Sequence, residues 1–262
     1  MKQITIDDLK KIQLAMLKDI DSFCKSNNIT YFLSYGTLLG AIRHKGYIPW
    51  DDDIDICMPR PDYERFINLY GNKQKNYHVK EFRKTKGYSL PFAKVSNENT
   101  LMNEFLYCSD IFGVYVDIFP VDGYGKKKQI TQSQWLSKFL NAKKAVLGRN
   151  RSLIKNMIIA LGKIFLLPFS VQYILKKMHS IATKYSYTDC LMTEVFCSST
   201  VEKEIVPRAV FDKIIEADFE NYKFRIPANY DIYLKALYGD YMTPPPIENR
   251  ISHHAYEAWW KD

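Results

Sequence analysis

Asp51, Asp52, Asp53 and Asp55 place four carboxylates within five residues, and a glycine-led stretch, Gly36-Thr37-Leu38-Leu39-Gly40, precedes them. A solvated acidic run has polar neighbours, whereas this one is bounded by Ile48-Pro49-Trp50 and by Ile56-Cys57-Met58. A strand from Asp53 to Cys57 would send Asp53 and Asp55 to one face and Ile54 and Ile56 to the other. Two carboxylates then share one metal ion. A glycine-led turn that opens into a helix offers backbone N–H groups and a positive dipole end to phosphate. The two elements together point to metal-assisted chemistry on a phosphate.

Three site types could use such a cluster. A calcium loop has the alternate spacing of Asp51, Asp53 and Asp55, but it needs glycine where Ile56 stands and glutamate where Asp62 stands. The Asp-x-Asp of a sugar-nucleotide glycosyltransferase would hold a divalent ion under a diphosphate through Asp53-Ile54-Asp55, and it leaves the Gly36-Thr37 turn without a task. A nucleotidyltransferase site uses the glycine turn, the alternating pair and a third carboxylate on a later strand. Asp117, in Val116-Asp117-Ile118-Phe119, is the natural third.

The elements that must position these groups can be read from periodicity. Asp7 to Asn27 is a helix with Leu9, Ile12, Met16, Ile20 and Cys24 on one face. Tyr31 to Ser34 is a short strand leading into the glycine turn, and Thr37 to His44 is the helix after it. Gly46 to Trp50 is a loop, and Pro61 to Tyr70 a helix with proline at its favoured first position and Gly71 past its end. Tyr77 to Arg83, Tyr88 to Val95, Thr100 to Phe105 and Gly113 to Phe119 are strands by their β-branched and aromatic content. Pro227-Ala228-Asn229 opens a helix that Gly239 closes, before the stiff Pro244-Pro245-Pro246. The expected fold is α/β (α+β), a nucleotidyltransferase-like mixed sheet with flanking helices.

At 262 residues, 47% apolar and 15% aromatic, the chain can bury a core of one enlarged domain, and disorder is excluded. The five cysteines are scattered without a C-x-x-C pair, so neither a disulfide framework nor structural zinc is indicated. Acids in the opening Met1 to Asp8 leave no export signal there, and the expected location is cytoplasmic.

The net charge of +8 is segregated: from Gly123 to Thr188 there are thirteen Lys and Arg and no acid, leaving 24 basic against 29 acidic residues elsewhere. This stretch is read as a basic helical insertion, residues 123–188, within a catalytic core of 1–122 and 189–262. Its apolar run from Met157 to Phe169 is 13 residues long and includes Lys163 and Pro168, short of the roughly 20 needed to span a bilayer. A helical hairpin packed on the sheet is one reading. A surface on anionic lipid, at the inner face of the plasma membrane, suits basic flanks around an apolar stretch better. No nucleic-acid module is present, and nucleic acid is not expected as a partner.

The segment Tyr35-Gly36-Thr37-Leu38-Leu39-Gly40-Ala41-Ile42-Arg43-His44, continuing through Lys45-Gly46-Tyr47-Ile48-Pro49-Trp50 to Asp51-Asp52-Asp53-Ile54-Asp55-Ile56, closely resembles the signature of the LicD family of phosphocholine transferases, to which the fukutin-type ribitol phosphate transferases are related. Phe119-Pro120-Val121-Asp122-Gly123 and the run Tyr238 to Pro246 resemble later motifs of that family, in its order. The resemblance covers roughly residues 5–122 and 190–255 and leaves out the basic middle. It implies a divalent metal, Mg2+ or Mn2+ as one or two ions, CDP-choline or another CDP-alcohol as donor, and transfer of phosphocholine to a sugar hydroxyl. The acceptor would be a lipid-linked precursor of a cell-surface glycan of teichoic acid or capsule type, and CMP would leave.

On this reading Asp53, Asp55 and Asp117 are the catalytic, metal-holding acids, with Asp117 either completing the metal shell or drawing the acceptor's proton. Gly36 lets backbone approach phosphate, the Thr37 hydroxyl donates to it, and Arg43 reaches the diphosphate. Asp51 and Asp52 shape the loop or meet substrate. Lys94 matches a family position that contacts donor phosphate, or is an exposed strand lysine. His254, with His253, is a candidate contact to acceptor or phosphate. Two rivals remain: a nucleotidyltransferase that moves a nucleoside monophosphate to a small acceptor, and a non-catalytic glycan-binding member of the fold.

Overall fold

The computed structural model describes residues 1–70, 76–104, 112–145, 152–197, 201–250 and 256–262. His253, His254, Gly71, Phe105, Cys108, Arg149 and Arg151 lie outside them. A short edge strand β1 (Lys2–Gln3) precedes helix α1 (Ile6–Ser26), whose start is capped by the Thr5 hydroxyl accepting from the Asp8 N–H. Leu9, Ile12, Met16, Ile20 and Cys24 are buried, the face that the periodicity predicts, and Leu17 is buried with them.

The site-bearing sheet runs β2 (Phe32–Leu33), β3 (Asp55–Pro59), β7 (Tyr115–Tyr124), β5 (Ala93–Asn97), β4 (Tyr77–Lys80) in spatial order. β3 and β7 are parallel, and β2–β3, β7–β5 and β5–β4 are antiparallel. The sheet is therefore mixed, as expected. Helices α2 (Tyr35–Arg43) and α3 (Arg60–Leu69) follow β2 and β3 directly. The far end of β7 pairs with β8 (Met192–Glu194), and β8 with β9 (Val206–Pro207). A second sheet joins β1, β12 (Tyr256–Trp260) and β6 (Thr100–Glu104), tying the two chain ends together. The hairpin of β10 (Ile214–Phe219) and β11 (Tyr222–Pro227) leads to α7 (Tyr230–Tyr238), which ends on Gly239 at φ 67°.

Residues 123–188 carry three helices, α4 (Lys127–Lys144), α5 (Leu153–Phe165) and α6 (Val171–Ala182). Among the described residues no helix is long and apolar enough to cross a membrane.

Several boundaries shift: the strand expected to reach Arg83 ends at Lys80, the one expected from Gly113 to Phe119 runs from Tyr115 to Tyr124, and α2 begins at Tyr35 rather than Thr37. The strand expected from Tyr88 begins at Ala93, because Pro91 has no N–H to give the ladder. The strand expected from Asp53 begins at Asp55, because the preceding carbonyl of Asp52 is held from behind by the buried Gln13 amide, 3.1 Å away. The alternation survives nonetheless: Ile54 and Ile56 are buried and Asp53 and Asp55 half-buried.

Candidate active site

The glycine segment is not a loose turn. Ser34 is extended (φ −134°, ψ 170°), Tyr35 sits at φ 46°, and α2 starts there. A left-handed tyrosine costs energy and holds only where its surroundings fix it. Its hydroxyl donates to Glu204 at 2.6 Å and its ring meets Phe119 edge-on, centroids 5.2 Å apart. The first N–H groups of α2, which have no intrahelical acceptor, thereby come at the cleft beside Gly36. A side chain at 36 would overlap the carboxylate of Asp51, which would have to shift to admit it.

That cleft has a volume of about 540 Å3 and is lined by Gly36, Arg43, Asp51, Asp53 and Asp55 on one side and by Tyr238, at the end of α7, with Asp240, Tyr241 and Thr243 after it. Carboxylate oxygens of Asp51, Asp52 and Asp53 come within 4.8 Å of one another. Burial raises the Asp55 carboxyl well above the carboxylate range, and the charges of Asp53, Asp117 and Asp51 push it further. Burial also raises the Tyr238 phenol, with Asp55 and Asp51 adding to it. Such crowding of acids is the setting that a hard divalent cation relieves, and an all-oxygen donor set suits Mg2+ or Mn2+. The residues present fit that ion.

The strand register brings Asp55, Asp117 and Lys94 side by side: Asp55 pairs with Asp117 across β3 and β7, and Asp117 with Lys94 across β7 and β5. Lys94 is buried, not the exposed strand lysine of one reading, and its ammonium meets both oxygens of Asp117 at 2.8 and 3.1 Å. The same ammonium sits over the Tyr115 ring, 3.2 Å from its centroid. Asp117 thus lies next to the acid cluster but is engaged by a protein cation, and it is not among the groups that line the cleft.

Thr37 is buried, and its Oγ1 accepts the Asp55 N–H at 2.8 Å, so this hydroxyl fixes the start of β3. The Arg43 guanidinium lines the cleft and donates to the Tyr241 carbonyl at 2.7 Å; burial and Arg250 lower its pKa. Asp52 is buried behind the loop while Asp51 and Asp53 face the opening. Tyr238, Asp240 and Thr243 were not singled out as site residues. The run Tyr238 to Pro246 carries the signal for them, and within it Thr243 Oγ1 donates to Asp240 at 2.7 Å.

Residues 28–148 match the family model described as LicD/FKTN/FKRP, nucleotidyltransferase domain. The chain is 29% identical over 273 aligned positions, 99% of each chain, to a protein of Haemophilus influenzae named lipopolysaccharide cholinephosphotransferase LicD. It is 39% identical over 82 residues to an uncharacterized protein of Rickettsia typhi, across 30% of this chain and 26% of that one. A match of 40% over 45 residues, 17% of this chain and 4% of the other, is to mannosyltransferase regulator 4 of Saccharomyces cerevisiae. The first of these alignments runs through cleft, sheet and basic helices alike, and the residues that the LicD/FKTN/FKRP model matches include the acid cluster, Lys94 and Asp117.

Proposed function

We propose that this protein is a metal-dependent transferase that moves phosphocholine from CDP-choline to a sugar hydroxyl of a cell-surface glycan precursor, with CMP leaving. The observation that carries this reading is the cleft in which the start of α2 at Gly36 meets Asp51, Asp53 and Asp55, in a chain similar along its whole length to a named lipopolysaccharide cholinephosphotransferase. Whether the acceptor belongs to lipopolysaccharide, teichoic acid or capsule, it is proposed to be lipid-linked and met at the anionic inner face of the plasma membrane.

In this mechanism the N–H groups at the start of α2 bind the donor diphosphate and orient it. Arg43 supplies a charged fork of donors on the same wall. Asp51, Asp53 and Asp55 would hold the divalent ion, whose contribution when bound is to neutralise charge on the diphosphate. Asp117 is assigned to support that set from behind, through its contact with Lys94, rather than to act as a base. The acceptor oxygen bonds to the phosphorus of phosphocholine as the bond from that phosphorus to the CMP oxygen breaks. CMP takes the bonding electron pair. Asp240, the cleft carboxylate outside the acid cluster, is assigned to take the acceptor's proton.

The experiment is incubation with CDP-choline labelled separately in each half, with Mg2+ and a glycan acceptor. Acid-stable choline label on the product supports the proposal. Acid-stable cytidine label would replace it with nucleotide transfer, and retention of intact donor with acceptor bound would favour a glycan-binding member of the fold. Repeating the reaction with CDP-ribitol and CDP-glycerol ranks the donor alcohols.

A further inference from the structure

The three basic helices leave an apolar face without a protein partner among the described residues. On α5, Ile154, Met157, Leu161, Ile164 and Phe165 recur at helical spacing, and each is between 61 and 73% exposed. Leu167 follows at 70%. An apolar stripe normally faces the core, and this one faces outward. Beside it, a groove of about 400 Å3 runs between α4 and α6, lined by Trp135, Leu136, Phe139, Phe169, Tyr173 and Ile174.

The charges say what covers this face. No acid occurs from Gly123 to Thr188, which disfavours an ordinary protein surface of mixed charge and suits an anionic one. Two lysines are stacked on the rim aromatics: Lys138 over Trp135 at 5.3 Å from the ring centroid, and Lys177 over Tyr173 at 5.6 Å. Rings at the boundary with ammonium groups beside them form the pattern by which helices sit at a lipid–water interface. Lys143 and Lys144 have a different task. Their ammonium groups donate to the carbonyls of Leu166, at 2.8 Å, and Ser89, at 3.3 Å, and so fasten the insertion to itself and to the core.

We infer that α5 and the groove between α4 and α6 together form a docking face for an anionic lipid bilayer, with the α5 stripe among the acyl chains and Lys138 and Lys177 at the phosphates. This deepens the reading above, because a lipid-linked acceptor brings the enzyme to such a surface. Insertion of the stripe beside the groove lets a lipid chain enter between Trp135 and Tyr173, so the face grips lipid rather than only resting on it.

The test is flotation of the full chain with vesicles of phosphatidylcholine alone and with added phosphatidylglycerol, together with tryptophan fluorescence. Wild type floats with the anionic vesicles at low salt, and its emission moves to shorter wavelength, a change lost in Trp135→Phe. Leu161→Asp with Ile164→Glu, both at exposed positions, lowers the bound fraction at least tenfold with an unchanged circular dichroism spectrum. Lys138→Glu with Lys177→Glu abolishes the preference for anionic lipid. Equal flotation of wild type and the Leu161/Ile164 variant overturns the inference, as does a sedimenting dimer that ignores vesicles and is broken by the same substitutions. Mg2+-dependent release of CMP measured without vesicles separates the two readings. Turnover without flotation defeats only the docking face, and flotation without turnover defeats only the transferase.

Discussion

The Lys94 ammonium spans both oxygens of Asp117, at 2.8 and 3.1 Å, inside the sheet and one strand away from Asp55. Both side chains are buried, so removing one leaves the other as an uncompensated charge. Lys94→Met should cost about 3–5 kcal/mol, whereas the double change Lys94→Met, Asp117→Asn should recover much of that loss. Thermal denaturation of the two single variants and the double variant closes the cycle. Additive single effects, each below about 1 kcal/mol, would mean that the pair is solvated like a surface bridge.

A consequence for the proposed ion concerns its number. With Asp117 engaged by Lys94, the cleft keeps Asp51, Asp53 and Asp55 for a cation, and the lysine stands where a second positive charge would otherwise be needed. Titration with Mn2+ followed by electron paramagnetic resonance should therefore saturate at one ion per chain. Asp53→Asn should weaken that binding at least tenfold and abolish any Mg2+-dependent thermal shift given by CDP-choline. Two tight sites per chain would rule out the lysine's part.

A Cβ at Gly36 would meet the Asp51 carboxylate. Gly36→Ala must displace Asp51 or the start of α2, and a displacement of about 1 Å at a reacting site can cost on the order of a hundredfold. The expected result is a loss of that order in kcat/KM with a melting temperature within a few degrees of wild type. Steady-state kinetics and a melting curve decide it. Unchanged kinetics would mean that the approach of Asp51 to α2 plays no part in donor binding.

How far such features were legible before the structure depends on their range. The boundaries of α1, α3 and α7 follow from apolar spacing, a proline near the start and Gly239, all of which act within a few residues. The outward acids of Asp53 to Cys57 survive because alternation is also local. Lys94 and Asp117, in contrast, are 23 residues apart, and only the order β7–β5 makes them neighbours. The β10–β11 hairpin escaped because its turn, Glu220-Asn221, adopts φ 51° and 63° without the glycine that usually marks such a turn. Strands of two residues, such as β1 and β9, are too short for any period to show, whereas β2 lies inside the strand expected from Tyr31 to Ser34. Tyr238 reaches the cleft from the end of α7 and Asp240 from the chain just after it, a placement of α7 that no local pattern encodes.

At the end of β8 and just ahead of β9, Glu194 and Glu204 are both buried, and Glu194 is pushed up to about 9 by burial first and by Glu204 second. Its Oε1 accepts the Val195 N–H at 3.1 Å, while its Oε2 has no hydrogen-bond partner among the described residues. Below its ordinary value of 4.5 the side chain is protonated in folded and unfolded chains alike, and it adds no pH dependence. Between there and about 9 only the unfolded chain releases the proton, so this group lowers stability as pH rises, by about 1.4 kcal/mol per unit. Glu194→Gln keeps the shape and removes the titration. Its melting temperature should match wild type near pH 4.5, exceed it by several degrees at about pH 8, and fall less steeply between the two. Parallel melting curves for the two proteins across that range would mean that Glu194 is ionised in the folded chain and paired.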